Sequence, residues 1–452
     1  MSPTLRPIRF IREEYAAAYR GLPPRAWILF AVNLINSSGS MVIFFLSLYL
    51  TRKLGLTTAR AGQALSLYGA GSLAGAFAGG WLSDRLGSIS VQKTSLAVCG
   101  ALLIVLGQVR TVAGILPLLF GLALFAGMLY PANSTSMARI CPAELQVKGF
   151  ALNRLANNLG ATIGPAVGGV LALRDYRLLF WADGLTSLAA AAVFALLWTG
   201  ARAGAGGRGE NEQGEPGCEE PAEGSPAARG EADGAAPPAD RTSGAGGATR
   251  PAPRSPSPWR DGPFLLMMLI FLVWSAVFIQ VLTTFPLYIR NVYGLAENRI
   301  GQLFAVNTIL IVALEMILME KIRKHSQARM INLSFVLLGV GLGLLPLGRG
   351  FAFGALTVAI WTFGEMLSMP LVTALIAGRA DDSNRGRYMG LFSFVFSLAF
   401  IIAPAGGTAI YGRFGGDAVW YVCAALCFLL AAAFSALRPA LEKPTGSSGR
   451  RP

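Results

Sequence analysis

Along this chain, apolar blocks of roughly 20 residues alternate with short polar stretches, and a block of that length crosses a bilayer as one helix. The pattern predicts spans near 27–50, 59–82, 93–111, 113–138, 148–172 and 178–198, then near 263–289, 298–319, 329–347, 351–376, 387–411 and 418–437. An all-α membrane protein with 12 transmembrane helices is therefore expected. Residues 1–24 hold Arg6, Arg9, Arg12, Glu13, Glu14 and Arg20, without a short apolar core or a small-residue cleavage site. The first span is expected to remain in the mature protein.

Residues 199–261 break the pattern. They are Gly, Ala, Pro and charged residues that cannot bury a core, so a flexible linker is expected there. It divides the spans six and six, giving a segment 1–26, a bundle 27–198, the linker 199–261, a second bundle 262–437 and a tail 438–452. The two bundles repeat one another at an offset of 239 residues, for LSLYLTRKLGLTTARAGQ at 46–63 lies without a gap over FPLYIRNVYGLAENRIGQ at 285–302. The same offset pairs Pro131 with Pro370, Leu152 with Leu391, Pro165 with Pro404, Gly168 with Gly407 and Trp181 with Trp420. One register held across several spans marks a duplication. Two parallel six-helix halves imply a pseudo-two-fold axis along the membrane normal, with a site between them.

Composition agrees: 54% of the 452 residues are hydrophobic and 14% charged. The net charge of +14 would suit a nucleic-acid binder, but its distribution argues for topology. With the N-terminus inside, 27 of the 38 Lys and Arg fall on the cytoplasmic side and 10 outside, with Arg154 inside a span. That bias orients a membrane chain and puts both termini in the cytoplasm. Cys99, Cys141, Cys218, Cys423 and Cys427 show neither disulfide nor metal spacing.

The short turn after the second span reads Gly80-Trp-Leu-Ser-Asp84-Arg85-Leu-Gly87. It resembles the loop signature of the major facilitator superfamily, in which Gly, three residues, Asp, Arg, one residue and Gly recur. The basic half of that signature is altered here, since the next base after Arg85 is Lys93. In the fifth span, Gly160-Ala-Thr-Ile-Gly164-Pro165-Ala-Val-Gly168-Gly169 is similar to the Gly-Pro motif of exporters in that superfamily. The resemblance implies its fold, alternating access, and a switch formed by Gly80, Asp84, Arg85 and Gly87. There the acid would meet the start of the eleventh span, here the polar run Asp381-Asp-Ser-Asn-Arg-Gly-Arg387. A plain hydrated turn that fixes topology is the simpler reading of the same residues. Gly71, Gly75 and Gly79, like Gly160, Gly164 and Gly168, also fit a seam for close helix packing, and Pro165 should bend its helix.

Polar residues inside spans are the candidates for a transport site. Asn33, Asn36, Ser37 and Ser40 form one stripe on the first span, facing either a cavity or another helix. Tyr130, Asn133, Gln280 and Trp361 lie on spans that line the central pathway in the superfamily. Glu365 sits near the middle of its span, where an ionised carboxylate is costly without a partner, so reversible protonation by a proton gradient is expected. The simpler reading is a neutral acid bonded to a neighbouring helix. Glu315 is a second proton-coupling candidate, although its nearness to Glu320 and Lys321 offers it water by snorkelling. Arg154 would pair with an acid or bind an anion.

No metal-ligand cluster, nucleotide loop or nucleophile–base pair is visible, and the single histidine, His325, lies in a basic loop. No enzyme activity, cofactor or metal is expected, and no nucleic-acid partner. The expectation is a monomeric secondary transporter of the plasma or inner membrane, exporting small neutral or cationic amphiphiles in exchange for protons. An uptake symporter for a small metabolite and a transporter-like receptor that moves no solute remain open.

Overall fold

The computed structural model describes residues 20–203, 257–380 and 384–441. Each predicted span is a helix: α1 Pro24–Gly39, α2 Thr58–Leu86, α3 Ser88–Leu106, α4 Val112–Ile140, α5 Gln146–Arg174, α6 Tyr176–Ala203, α7 Gly262–Thr283, α8 Glu297–Ile322, α9 Gln327–Leu344, α10 Phe351–Arg379, α11 Arg385–Phe414 and α12 Gly416–Leu441. Among the described residues there is no β-strand. Ten helices are long and apolar enough to cross a membrane, counting α1 with its continuation to Lys53. The other two, α2 and α5, have 29 residues each, about 44 Å at the helical rise, and are long enough but less apolar. Their position explains that. α5 packs along α8 and α2 along α11, and these two seams join the halves, so glycine and polar residues replace the leucines that lipid would favour.

The halves are copies in detail. α2 packs on α4 as α8 does on α10, α1 on α5 as α7 on α11, and α3 on α6 as α9 on α12. Gly55 and Gly294, 239 residues apart, turn the chain at φ +67° and +69°. The turns close alike: Leu56 N–H donates to Leu50 O at 3.1 Å, and Leu295 N–H to Ile289 O at 3.2 Å. At the seams, a Cβ on Gly62 would stand 2.7 Å from the Pro404 carbonyl oxygen, and one on Gly301 would stand 2.2 Å from that of Pro165. These are again positions related by the offset. The contact is backbone to backbone, which only glycine permits.

Several boundaries differ from the sequence reading. The third helix begins at Ser88, not near residue 93, because Gly87 at φ +82° turns the chain at once and the buried Gln92 side chain finds Ser136 Oγ at 2.6 Å. The first is broken: α1 ends at Gly39, Ser40 turns with ψ 68°, and the chain resumes as Val42–Leu48 and a π-helical turn Tyr49–Lys53. The seventh is interrupted at Thr284 and resumes as Phe285–Asn291. α6 continues to Ala203 and α12 to Leu441, past the expected ends of the bundles. Most of the expected linker, and residues 1–19, 381–383 and 442–452, lie outside the described residues. α5 runs through Pro165 as one helix.

Both ends of each half lie on one face of the molecule, called here the termini face. The halves meet near the opposite, far face, where Phe44 abuts Phe304 with ring centroids 4.8 Å apart and Tyr176 O–H donates to Glu297 at 2.9 Å. On the termini face Asp261 caps α7 by accepting from Phe264 N–H at 3.1 Å, and it takes two bonds from Arg379 of α10 at 2.6 and 2.7 Å. Burial opposes its ionisation, but the Arg379 and Phe264 donors prevail and hold its carboxyl below the usual range. The unfolded chain therefore binds the proton more readily. The pair's contribution is fully present above about pH 4 and fades as pH falls through the lower, folded value. Asp261→Ala should cost about 3 kcal/mol, since it strands a buried guanidinium. An unchanged thermal unfolding midpoint in detergent at neutral pH would contradict this.

Candidate functional site

The polar stripe of α1 divides between two neighbours. Asn33 donates to Asn153 of α5 at 2.6 Å, and Asn133 of α4 donates to the same oxygen at 2.9 Å. Ser37 donates to Asn157 of α5 at 3.0 Å. Thus Asn33, Ser37 and Asn133 bind helix to helix, while Asn33 and Asn133 also border a small pocket between α1, α3 and α4. Asn36 and Ser40 turn toward α6 and border a small cavity that also contains Tyr68, Asp183 and Ser187. There Asp183 accepts from the Met41 and Val42 N–H groups at 3.2 Å each. These are the donors freed where α1 breaks, so the acid caps the restarted helix.

Glycine sets the same spacing in the neighbouring helices. A Cβ at Gly160 would overlap Ser37, one at Gly168 would press on Met41, and Gly164 stands beside the α1 carbonyls. The motif on α5 therefore seats the broken α1, while Gly169 and the Pro165 carbonyl face α8 of the other half. Gly71, Gly75 and Gly79 meet the α4 backbone in the same manner.

Two expected pathway residues sit elsewhere. Gln280 is buried, donates to Ala403 O of α11 at 2.7 Å and accepts from Thr284 at 2.5 Å, so it ties α7 to α11. Trp361 is 1% exposed and packs against Gly341 of α9, on the side of α10 away from the seams. Neither position leaves a face for a substrate in this conformation. Tyr130 is different. On α4, Gly127 touches Ser72 of α2 and Asn133 reaches α5, so Tyr130, between them and 74% exposed, faces the space between the halves.

The ionisable groups converge across the α5–α8 seam. Arg154 of α5 forms an ion pair with Glu315 of α8, whose side chain is 11% exposed. Glu315 does not snorkel to the rim; a partner from the other half holds it. Two turns earlier on α8, Asn307 donates to Glu365 of α10 at 2.8 Å and to Thr362 at 3.0 Å. Through Asn307 and Glu315, α8 thus joins Glu365 of its own half to Arg154 of the other, so two acids and one base are tied to one helix at the seam.

In the α2–α3 turn, Arg85 lies over the Trp81 ring at 4.2 Å, and Asp84 is exposed with no hydrogen-bond partner among the described residues. A Cβ at Gly80 would meet open space. The expected partner run overlaps residues 381–383, which lie outside the described residues. Among the described residues no group of three His, Cys, Asp or Glu has a metal-binding arrangement, and four cysteines are free and buried, Cys218 lying outside the described residues. The sequence reading missed Asp183, Asn153, Asn157 and Asn307. For Asp183 a signal existed, an acid inside an apolar block, five residues after the predicted start of its span.

The family model described as Major Facilitator Superfamily matches residues 28–381 and 363–452. An uncharacterized MFS-type transporter of Bacillus subtilis, YttB, is 24% identical over 399 residues, covering 87% of this chain and 90% of that protein. A Na(+), Li(+), K(+)/H(+) antiporter of Planococcus maritimus is 22% identical over 159 residues, 32% of this chain and 38% of its own. Among solved structures, a POT family transporter in complex with 5-aminolevulinic acid superposes with a TM-score of 0.72 at 14% identity, over 94% of this chain and 98% of that one. That likeness is one of fold.

Proposed function

We propose a mode of action for this chain, which belongs to the Major Facilitator Superfamily and is a multi-pass membrane transporter of that type. It works by alternating access as a monomer of the plasma or inner membrane, with both termini in the cytoplasm. It exports small neutral or cationic amphiphiles and admits protons in return. The observation that carries this reading is that Arg154, Glu315 and Glu365 are joined through α8 at the seam. With both acids ionised the unit holds one uncompensated negative charge, which is costly in the membrane interior. A proton on Glu365 removes that cost, and so does a cation nearby. Two species that relieve the same charge displace each other, which is the logic of exchange. The relative whose printed name is an antiporter supports the same direction.

The α2–α3 motif serves as the conformational latch. Asp84 is exposed while the halves meet at the far face, and it approaches the start of α11 when the molecule rocks to close the termini face. Purified protein in liposomes, with a pH gradient imposed and a panel of lipophilic cations, neutral amphiphiles and small acids, tests the reading. Substrate moving opposite to protons is expected. Movement with protons favours an uptake symporter, and binding without movement favours a receptor; either result displaces the proposal.

A further inference from the structure

Beneath the α2–α3 turn, on the termini face, lies a cavity of about 600 Å³. It is lined by the beginning of α1, the end of α2, the beginning of α3, and the ends of α4 and α6. Three cations line it, Arg25, Lys93 and Arg139, together with Ser88, Ser90 and Ser136, and no carboxylate is among its lining residues. Nor do these three cations form an ion pair with any described residue. Two of them rest instead on aromatic rings of α6: Arg25 lies 5.6 Å from the Trp198 ring centre and Lys93 5.7 Å from that of Phe194. Such seats fix the side chains and leave their charge to something else. Lys and Arg placed only to orient a chain need no cavity and no seat.

The surroundings say which kind of anion would suit these cations. α3 and α6 form the outer side of this half, and Leu196 and Leu197 beside Trp198 are 72% and 46% exposed, as lipid-facing residues are. Leu86 and Ile140 give the cavity an apolar edge. The site therefore has a cationic floor at interface depth and an oily flank open to acyl chains. The uncapped start of α3, where Gly87 offers no side chain, adds N–H groups on the same wall.

We infer that Arg25, Lys93 and Arg139 form a binding site for the phosphate of an anionic lipid in the leaflet at the termini face. The lipid would touch Gly87, so leaflet composition would act on the α2–α3 turn itself. This inference rests on no assumption about what the protein transports.

Lipid retention by the full chain, measured by native mass spectrometry, tests it. Phosphatidylglycerol and phosphatidylcholine of matched acyl chains serve as probes, and inorganic phosphate as the soluble competitor. Wild type is expected to retain phosphatidylglycerol preferentially. Replacing Arg25, Lys93 and Arg139 by Gln should lower that retention by roughly tenfold or more, since each cation at a membrane surface is worth about fivefold. A control with the same loss of charge on the far face, Arg110, Arg174 and Arg413 to Gln, should retain it as wild type does. No preference for the anionic lipid, or equal losses in both triple variants, would overturn the site. Displacement by inorganic phosphate at millimolar concentration would overturn the lipid and leave a soluble phosphate as the ligand.

Discussion

Glu365→Gln is expected to abolish movement driven by a pH gradient while substrate exchange across the same membrane continues. Glutamine keeps the shape of the side chain, and its amide oxygen can still accept the Asn307 bond that Glu365 takes at 2.8 Å. What it cannot do is change charge. If Glu365 carries the driving proton, the variant is held in the form that resembles the protonated acid, and gradient-driven flux should fall by at least about tenfold. Exchange, which needs no net proton movement, should stay within roughly twofold on the same argument. Unchanged gradient-driven flux would leave Glu365 a packing or substrate-contacting role.

Glu315→Gln is no mild control for that experiment. Its carboxylate neutralises Arg154 across the α5–α8 seam, so removal leaves a guanidinium without its partner and weakens a link between the halves. Both effects are expected to reduce transport, by a route distinct from proton carriage. Comparing the two variants in exchange mode separates them: Glu365→Gln should exchange and Glu315→Gln should be impaired.

How much of this was legible in the sequence depends on distance along the chain. The twelve helices, the duplication and its offset of 239 residues were legible, because apolar blocks and repeated glycines are local signals. Glu365 stood out for the same reason, as a lone acid in an apolar block. Partners were not legible. Asn33 and Asn153 are 120 residues apart, Arg154 and Glu315 161 apart, and nothing in either segment names the other. Hence half of the α1 stripe, Asn33 and Ser37, is bonded to α5 while Asn36 and Ser40 border a cavity, and Trp361, on a pathway helix, faces α9. The break in α1 was hidden as well. Neither Ser40 nor Met41 disfavours a helix strongly, and the break is held by Asp183 from α6 and by Gly39, whose missing side chain lets Thr186 approach.

The seam glycines are where sequence and structure combine to give the second large effect. Gly301→Leu would set a side chain 2.2 Å from the Pro165 carbonyl oxygen, well inside contact distance and against backbone that no rotamer change can move. The clash lies between halves, not within one. Each six-helix bundle should therefore fold and insert, while closure at the far face becomes unfavourable and the cycle stalls in the other orientation. Transport is expected to fall by at least about tenfold, with the population shifted toward the state open at the far face. A cysteine in place of Phe44, which abuts Phe304 at that face, introduced together with Cys218→Ser, reports the shift by faster labelling, since the four other native cysteines are buried. Gly62→Leu, the equivalent position against Pro404, should give the same phenotype through the other seam. Normal flux and unchanged labelling in both variants would mean that these contacts are not part of the moving interface, and the rocking of two duplicated halves would lose its structural basis.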